Sequence, residues 1–182
     1  MLDHEAPYHV AGPDMVHPNL LRILAWSRVP CRWACFEFFD ANLYYFMQNT
    51  RPWKVESFLF TKILAPIANA VAFLHSRGYV HKNISPTHIL FTNDFSRVVL
   101  AGHHLAKQVL WGDKVALSSA KRGEVLWVDP NSYNRTYCKE NDTYSLGLVI
   151  GELLTGELPY GGAPPGTEMT RSMIHFNPCV FT

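Results

Sequence analysis

The residues best suited to chemistry crowd into one stretch, Gly78 to Leu90, which holds His81, Lys82, Asn83, Ser85, Thr87 and His88 and no carboxylate. Asn83 presents a neutral amide, which cannot take up a proton near pH 7 and so makes no general base. His88 presents imidazole, a poor ligand for hard, oxygen-preferring magnesium and a better one for a softer ion such as zinc. A second group follows at Gly102-His103-His104, where the glycine offers no donor atom. The four cysteines, Cys31, Cys35, Cys138 and Cys179, are too few for a disulfide framework in a chain of this size. Cys31 and Cys35 have no matching Cys or His pair at zinc-site spacing, so buried free thiols are the expected state and no metal site is assigned.

The elements that must position these residues can be read from the apolar pattern. Residues 1–16, with Pro7, Gly12 and Pro13, have no sustained periodicity and read as an irregular lead-in. Apolar runs at 20–26 and 33–39, joined by a turn at 27–30, predict two antiparallel strands. Asp40-Ala41-Asn42 breaks that pattern and can cap a short helix reaching Met47. Over 54–76, Ile63, Ile67, Ala70, Val71 and Leu74 share one helical face, and Gly78 is placed to end the helix in a left-handed conformation. Pro66 lies inside this helix and predicts a kink or a late start near residue 65. Two short strands at 89–91 and 98–100 flank a turn at Thr92-Asn93-Asp94, and 107–124 reads as a long polar loop. Residues 142–154, apolar nearly all round, predict a buried central helix closed by Thr155-Gly156.

With 182 residues, 48% of them hydrophobic, the chain can bury one sizeable core. Its net charge of +1, with basic and acidic residues interspersed, gives no footprint for nucleic acid or an anionic membrane. No run approaches the roughly 18 apolar residues of a spanning helix, and no basic-then-apolar leader opens the sequence. A soluble intracellular protein is expected, in the cytoplasm and with the nucleus left open.

Taken in order, the motifs resemble the large lobe of a protein kinase preceded by the last strands of the small lobe. Phe73-Leu74-His75-Ser76-Arg77-Gly78-Tyr79-Val80-His81 is similar to the approach to the kinase catalytic loop, and His81, Ile84, Pro86, Ile89 and Leu90 are similar to its framework. Asn141-Asp142-Thr143-Tyr144-Ser145-Leu146-Gly147 and Glu152–Tyr160 resemble the central helix and its exit. His17-Pro18-Asn19-Leu20-Leu21 resembles the turn entering the fourth strand. The fold implied is α+β: a mostly helical lobe over 40–182, with remnant strands and hinge over 17–39.

That resemblance assigns roles, and the departures from it are as informative. A kinase carries its proton-accepting Asp where Asn83 stands and its magnesium-binding Asn where His88 stands. The metal-binding Asp of the Asp-Phe-Gly triplet is Gly102. The triplet's Gly is His104, which implies that the backbone freedom of that turn is lost. His88, His103 and His104 fall where the metal ligands would converge; drift after loss of magnesium is preferred to a zinc site. Lys82 replaces the Arg that clamps a phosphorylated activation loop and lacks its planar fork. Ala-Pro-Glu appears as Asp129-Pro130-Asn131. Ser118 and Ser119, beside Lys121 and Arg122, read as ordinary loop residues.

His81 and Asp142 are left with structural duties. Phe36, Glu37, Phe38 and Leu90 remain as the floor of a nucleotide pocket. No Gly-rich phosphate loop or strand-three Lys is present, so ATP binding is expected to be weak or absent. Gly102, His88-Ile89-Leu90 and Tyr144-Ser145-Leu146-Gly147 further resemble the STRAD pseudokinases, which activate liver kinase B together with an armadillo-like scaffold protein. The resemblance implies a non-enzymatic allosteric partner of such a serine/threonine kinase, using a surface that includes Leu105, Trp111, Trp127 and Pro130. The alternatives are an atypical active serine/threonine kinase and a partial product of a longer kinase-like protein. Marginal stability in isolation is expected.

Overall fold

A computed structural model describes residues 15–27, 33–50, 57–109, 115–116, 125–130 and 136–163. The expected lead-in therefore lies, apart from Met15 and Val16, outside the described residues, as does most of the turn at 27–30.

The predicted strand pair forms as β1 (Ile23–Ser27) and β2 (Trp33–Phe36), antiparallel with Trp26 opposite Ala34. It is shorter than expected at its open end only, where β1 starts late and β2 stops early. Leu20 makes a parallel bridge to Leu100, and the Leu21 N–H bonds the Leu100 carbonyl at 3.0 Å. The start of the apolar run thus joins the neighbouring sheet, where Leu20 and Leu21 are buried.

Next come β3 (Ala41–Asn42) and helix α1 (Leu43–Asn49). Asn42 caps α1, its side-chain oxygen accepting from the Tyr45 N–H at 2.9 Å. Asp40 instead accepts from the Asn93 N–H at 3.0 Å.

Helix α2 (Ser57–Ser76) buries the expected face completely: Ile63, Ile67, Ala70, Val71 and Leu74 are all in the core. The late start does not occur, because α2 begins well before Pro66 and passes through it as one element. Ile63 and Ile67 are buried on either side of the proline. Fully burying such a side chain is worth about 1.5–3 kcal/mol, which offsets the backbone bond that Pro66 cannot make. Gly78, at φ 77°, ends the helical turn in the left-handed region as predicted.

After α2, β4 (Tyr79–Val80) leads into the loop, followed by β5 (Ile89–Phe91) and β6 (Val98–Leu100), both with the expected bounds. β3, β5 and β6 form an antiparallel sheet in that order. The polar loop is less plain than its composition suggests. β7 (Lys107–Gln108) pairs with β4, and β8 (Val115–Ala116) pairs with β9 (Thr136–Tyr137).

Helix α3 (Lys139–Thr155) closes on Gly156 at φ 72°, whose N–H reaches the Glu152 carbonyl at 2.8 Å. It is not buried all round. Its buried stripe is Asn141, Asp142, Ser145, Val149, Glu152 and Leu153, while Leu146, Leu148 and Ile150 are half-buried and Leu154 is 55% exposed. The polar members of the stripe, which the apolar pattern hides, decide how α3 docks. Leu43, Met47, Ile67, Leu74, Ile84, Ile89, Leu100 and Leu153 make one core beneath the loop. Among the described residues no helix is long and apolar enough to cross a membrane.

Candidate functional site

Asp142, in the first turn of α3 and wholly buried, organises the loop. One carboxylate oxygen accepts the His81 N–H at 2.7 Å and the His75 ring nitrogen at 2.9 Å. The other accepts the Lys82 N–H at 2.9 Å and the Tyr137 hydroxyl at 3.1 Å. The end of α2, the loop, β9 and α3 therefore meet on one carboxylate. Burial and Asp142 together push the Tyr137 phenol far up, so it stays a donor. The grip also holds Lys82 at φ 70°, a conformation costing about 1–3 kcal/mol for a residue with a side chain. Burial, then Lys107, lower the Lys82 amine to about 8, with Asp142 opposing.

His81 is fully buried and neutral: desolvation pushes its pKa down to about 3 despite Asp142. Its Nε2 donates to the Ala101 carbonyl at 2.9 Å and its Nδ1 accepts the Asn83 N–H at 3.2 Å, which fixes the tautomer. This is the structural duty expected of it.

Asn83 and His88 meet. The Asn83 Nδ2 lies 3.4 Å from the His88 Nε2, and the His88 Nδ1 lies 3.1 Å from the Ser85 hydroxyl, itself 2.7 Å from the Thr87 hydroxyl. The amide donates into imidazole, and both ring nitrogens face protein groups. Gly102 completes the cluster at φ 88°. A Cβ built there would lie 3.0 Å from the His88 Cδ2 and 3.5 Å from the His81 Cε1. The imidazole of His88 thus crowds a side chain at 102 and would have to give by a few tenths of an ångström to admit one. The expected loss of backbone freedom is corrected here: the left-handed residue is Gly102, two positions earlier, while His104 sits in an ordinary short 3-10 turn, His103–Leu105.

A magnesium ion does not fit these residues: an imidazole and a glycine stand at the two metal positions, neither offering a side-chain oxygen, and Asn83 adds only a neutral amide. Nor do the histidines converge on a softer metal. Among the described residues no group of three or more His, Cys, Asp or Glu side chains is arranged to hold an ion. His103 is 3% exposed and held neutral by burial, its pKa lowered to about 4. His104 lies with its ring 6.0 Å from that of Phe36.

The nucleotide-floor residues are only partly gathered. Phe36 and Leu90 pack together against Leu21, Val99 and Ala101. Phe38 is 83% exposed and stands apart. Glu37 is engaged by Arg97, one of the two contacts measuring 3.0 Å, which holds its carboxyl below the usual range. Arg97 also lies over the Phe39 ring, 5.2 Å from its centroid. Together with the Asn93–Asp40 bond, this ties the turn between β5 and β6 to residues 37–40.

Of the surface residues expected to meet a partner, Trp127 is corrected. It is 2% exposed, and its indole N–H donates to Glu152 on α3 at 2.9 Å, so burial takes a large apolar ring out of water while its one polar atom keeps a partner. Pro130 is half-buried, beside Asp129, whose carboxylate accepts the Asn141 side chain at 2.7 Å. Trp111 and the side chain of Leu105 lie outside the described residues. Sequence reasoning missed His75, Tyr137, Asn141 and Glu152; only the placement of Asn141 one residue before Asp142 hinted at a buried polar stripe.

The family model for protein tyrosine and serine/threonine kinases matches residues 13–176. The chain belongs to the protein kinase family. A probable serine/threonine-protein kinase of Dictyostelium discoideum is 28% identical over 159 residues, covering 84% of this chain and 12% of that protein. The serine/threonine/tyrosine-protein kinase HT1 of Arabidopsis thaliana is 23% identical over 154 residues, 83% of this chain and 38% of its own length. The serine/threonine-protein kinase PAK 5 of Rattus norvegicus is 32% identical over 106 residues, 58% of this chain and 14% of its own. The chain thus spans well under half of these relatives. Its α+β arrangement, three helices with small sheets among the described residues, is consistent with part of the fold of this family.

Proposed function

We propose that this kinase-family chain is a pseudokinase that works by binding, not by phosphoryl transfer. The observation that carries the reading is the His88 ring packed over Gly102, with a side chain at that position brought to 3.0 Å of it. Phosphoryl transfer leans on metal-neutralised charge and positioning, and the residues at both metal positions lack the oxygen donors for it. Asn83, already donating to His88, adds no base. ATP would then bind weakly or not at all, and no cofactor is needed.

The finer reading is an allosteric activator of a serine/threonine kinase of the liver kinase B type, acting with an armadillo-like scaffold protein in the cytoplasm. It is supported by Gly102, His88-Ile89-Leu90 and the Tyr144-Ser145-Leu146-Gly147 run, which resemble the STRAD pseudokinases. Binding would favour the partner's active arrangement over its inactive one, a population shift. Radiolabelled transfer with magnesium and with manganese is expected to give no incorporation above a heat-denatured control. Transfer abolished by His88→Ala would establish an atypical active kinase instead.

A further inference from the structure

The cluster around His88 carries a consequence for how the same site is regulated, and it rests on the pseudokinase reading above. We propose that His88 braces the loop to the end of β6 in the way a bound metal otherwise would. The lobe then holds its partner-binding form without metal or nucleotide.

The links are direct. The His88 backbone accepts the Ala101 N–H at 2.7 Å and donates to the Ser85 carbonyl at 3.0 Å. Its ring engages Ser85 and Asn83 in the loop and packs on Gly102 beyond β6. His81 makes a second tie, to the Ala101 carbonyl, with its ring centroid 6.4 Å from that of His88.

Charge completes the argument. Carboxylates gathered at one site repel one another until a cation neutralises them, so their geometry depends on the ion. Here the facing groups are an amide, two imidazoles and a glycine. His81 is neutral through burial, and Asp142 spends both oxygens on four donors. Nothing in the cluster waits for a cation, so magnesium and ATP levels are no lever on this lobe.

Hydrogen exchange of the full chain, followed by mass spectrometry over 81–88 and 98–105, tests the proposal. Wild type is expected to exchange within about twofold with and without millimolar magnesium and ATP, and His88→Ala about tenfold faster in both segments with α2 unchanged. Two results overturn the proposal: wild type gaining about tenfold protection from magnesium and ATP, or His88→Ala exchanging like wild type. Should His88→Ala unfold globally, seen as lost protection in α2, His88→Gln decides. Retained protection there supports the brace, and loss equal to that of alanine overturns it. Phosphoryl transfer by a metal-insensitive loop would defeat the pseudokinase reading, whereas a magnesium-responsive loop without transfer would defeat this inference alone.

Discussion

Replacing Asp142 by Asn should destabilise the chain severely, and the size follows from the bonds it makes. The carboxylate accepts four donors, two on each oxygen. An asparagine keeps one oxygen and turns an NH₂ group toward the other two donors. If the oxygen stays with His81 and His75, the Tyr137 hydroxyl can rotate to accept, but the Lys82 N–H is left buried and opposed. That orphaned donor costs about 1–3 kcal/mol, and replacing charge-assisted bonds with neutral ones costs about 1 kcal/mol each. The sum is about 3–5 kcal/mol, a large share of the roughly 5–15 kcal/mol that holds a domain folded. Urea unfolding followed by far-ultraviolet circular dichroism at neutral pH measures it, with Tyr137→Phe as a control expected to cost about 1 kcal/mol. A loss under about 1 kcal/mol for Asp142→Asn would refute the view that this carboxylate holds the loop.

Three other outcomes are expected. Trp127→Phe removes the donor to buried Glu152 and should lower stability by about 1–3 kcal/mol in the same urea assay, against near neutrality if Trp127 were a surface contact. Acid should unfold the chain early. His81 and His103 have folded pKa values near 3 and 4, against an ordinary 6.5. The unfolded state therefore binds more protons below pH 6.5, and stability falls as pH drops from there toward 4, visible as a shrinking urea midpoint that is flatter in His103→Phe. Calorimetric titration with ATP and magnesium should give no saturable heat, and micromolar affinity would contradict the proposed function.

Much of this architecture was legible because apolar spacing dictates it. The buried face of α2, the bounds of β5 and β6 and the stop at Gly78 and Gly156 all follow from periodicity and glycine placement. What escaped was set by tertiary contacts. Leu20 and Leu21 look like strand residues, but which sheet they join depends on Leu100, far along the chain. Pro66 reads as a breaker until the burial of Ile63 and Ile67 is weighed against it. α3 looked apolar nearly all round, because a hydrophobic scan cannot tell that Asn141 and Glu152 face inward to meet Asp129 and Trp127; only the resemblance gave Asp142 its place under the loop. The departures from the kinase pattern at Asn83, His88 and Gly102 could be read directly. That the His88 ring had moved into the room beside Gly102 could not.

That crowded spot ties the tolerances of two positions together. Restoring Asp at 102 while His88 remains would set a side chain on a left-handed backbone against an imidazole, and replacing His88 first would leave a hole over Gly102. Either change made alone therefore carries a folding cost that making both together lessens. The two positions are thus coupled, and a change at one is expected to be accepted only with a change at the other.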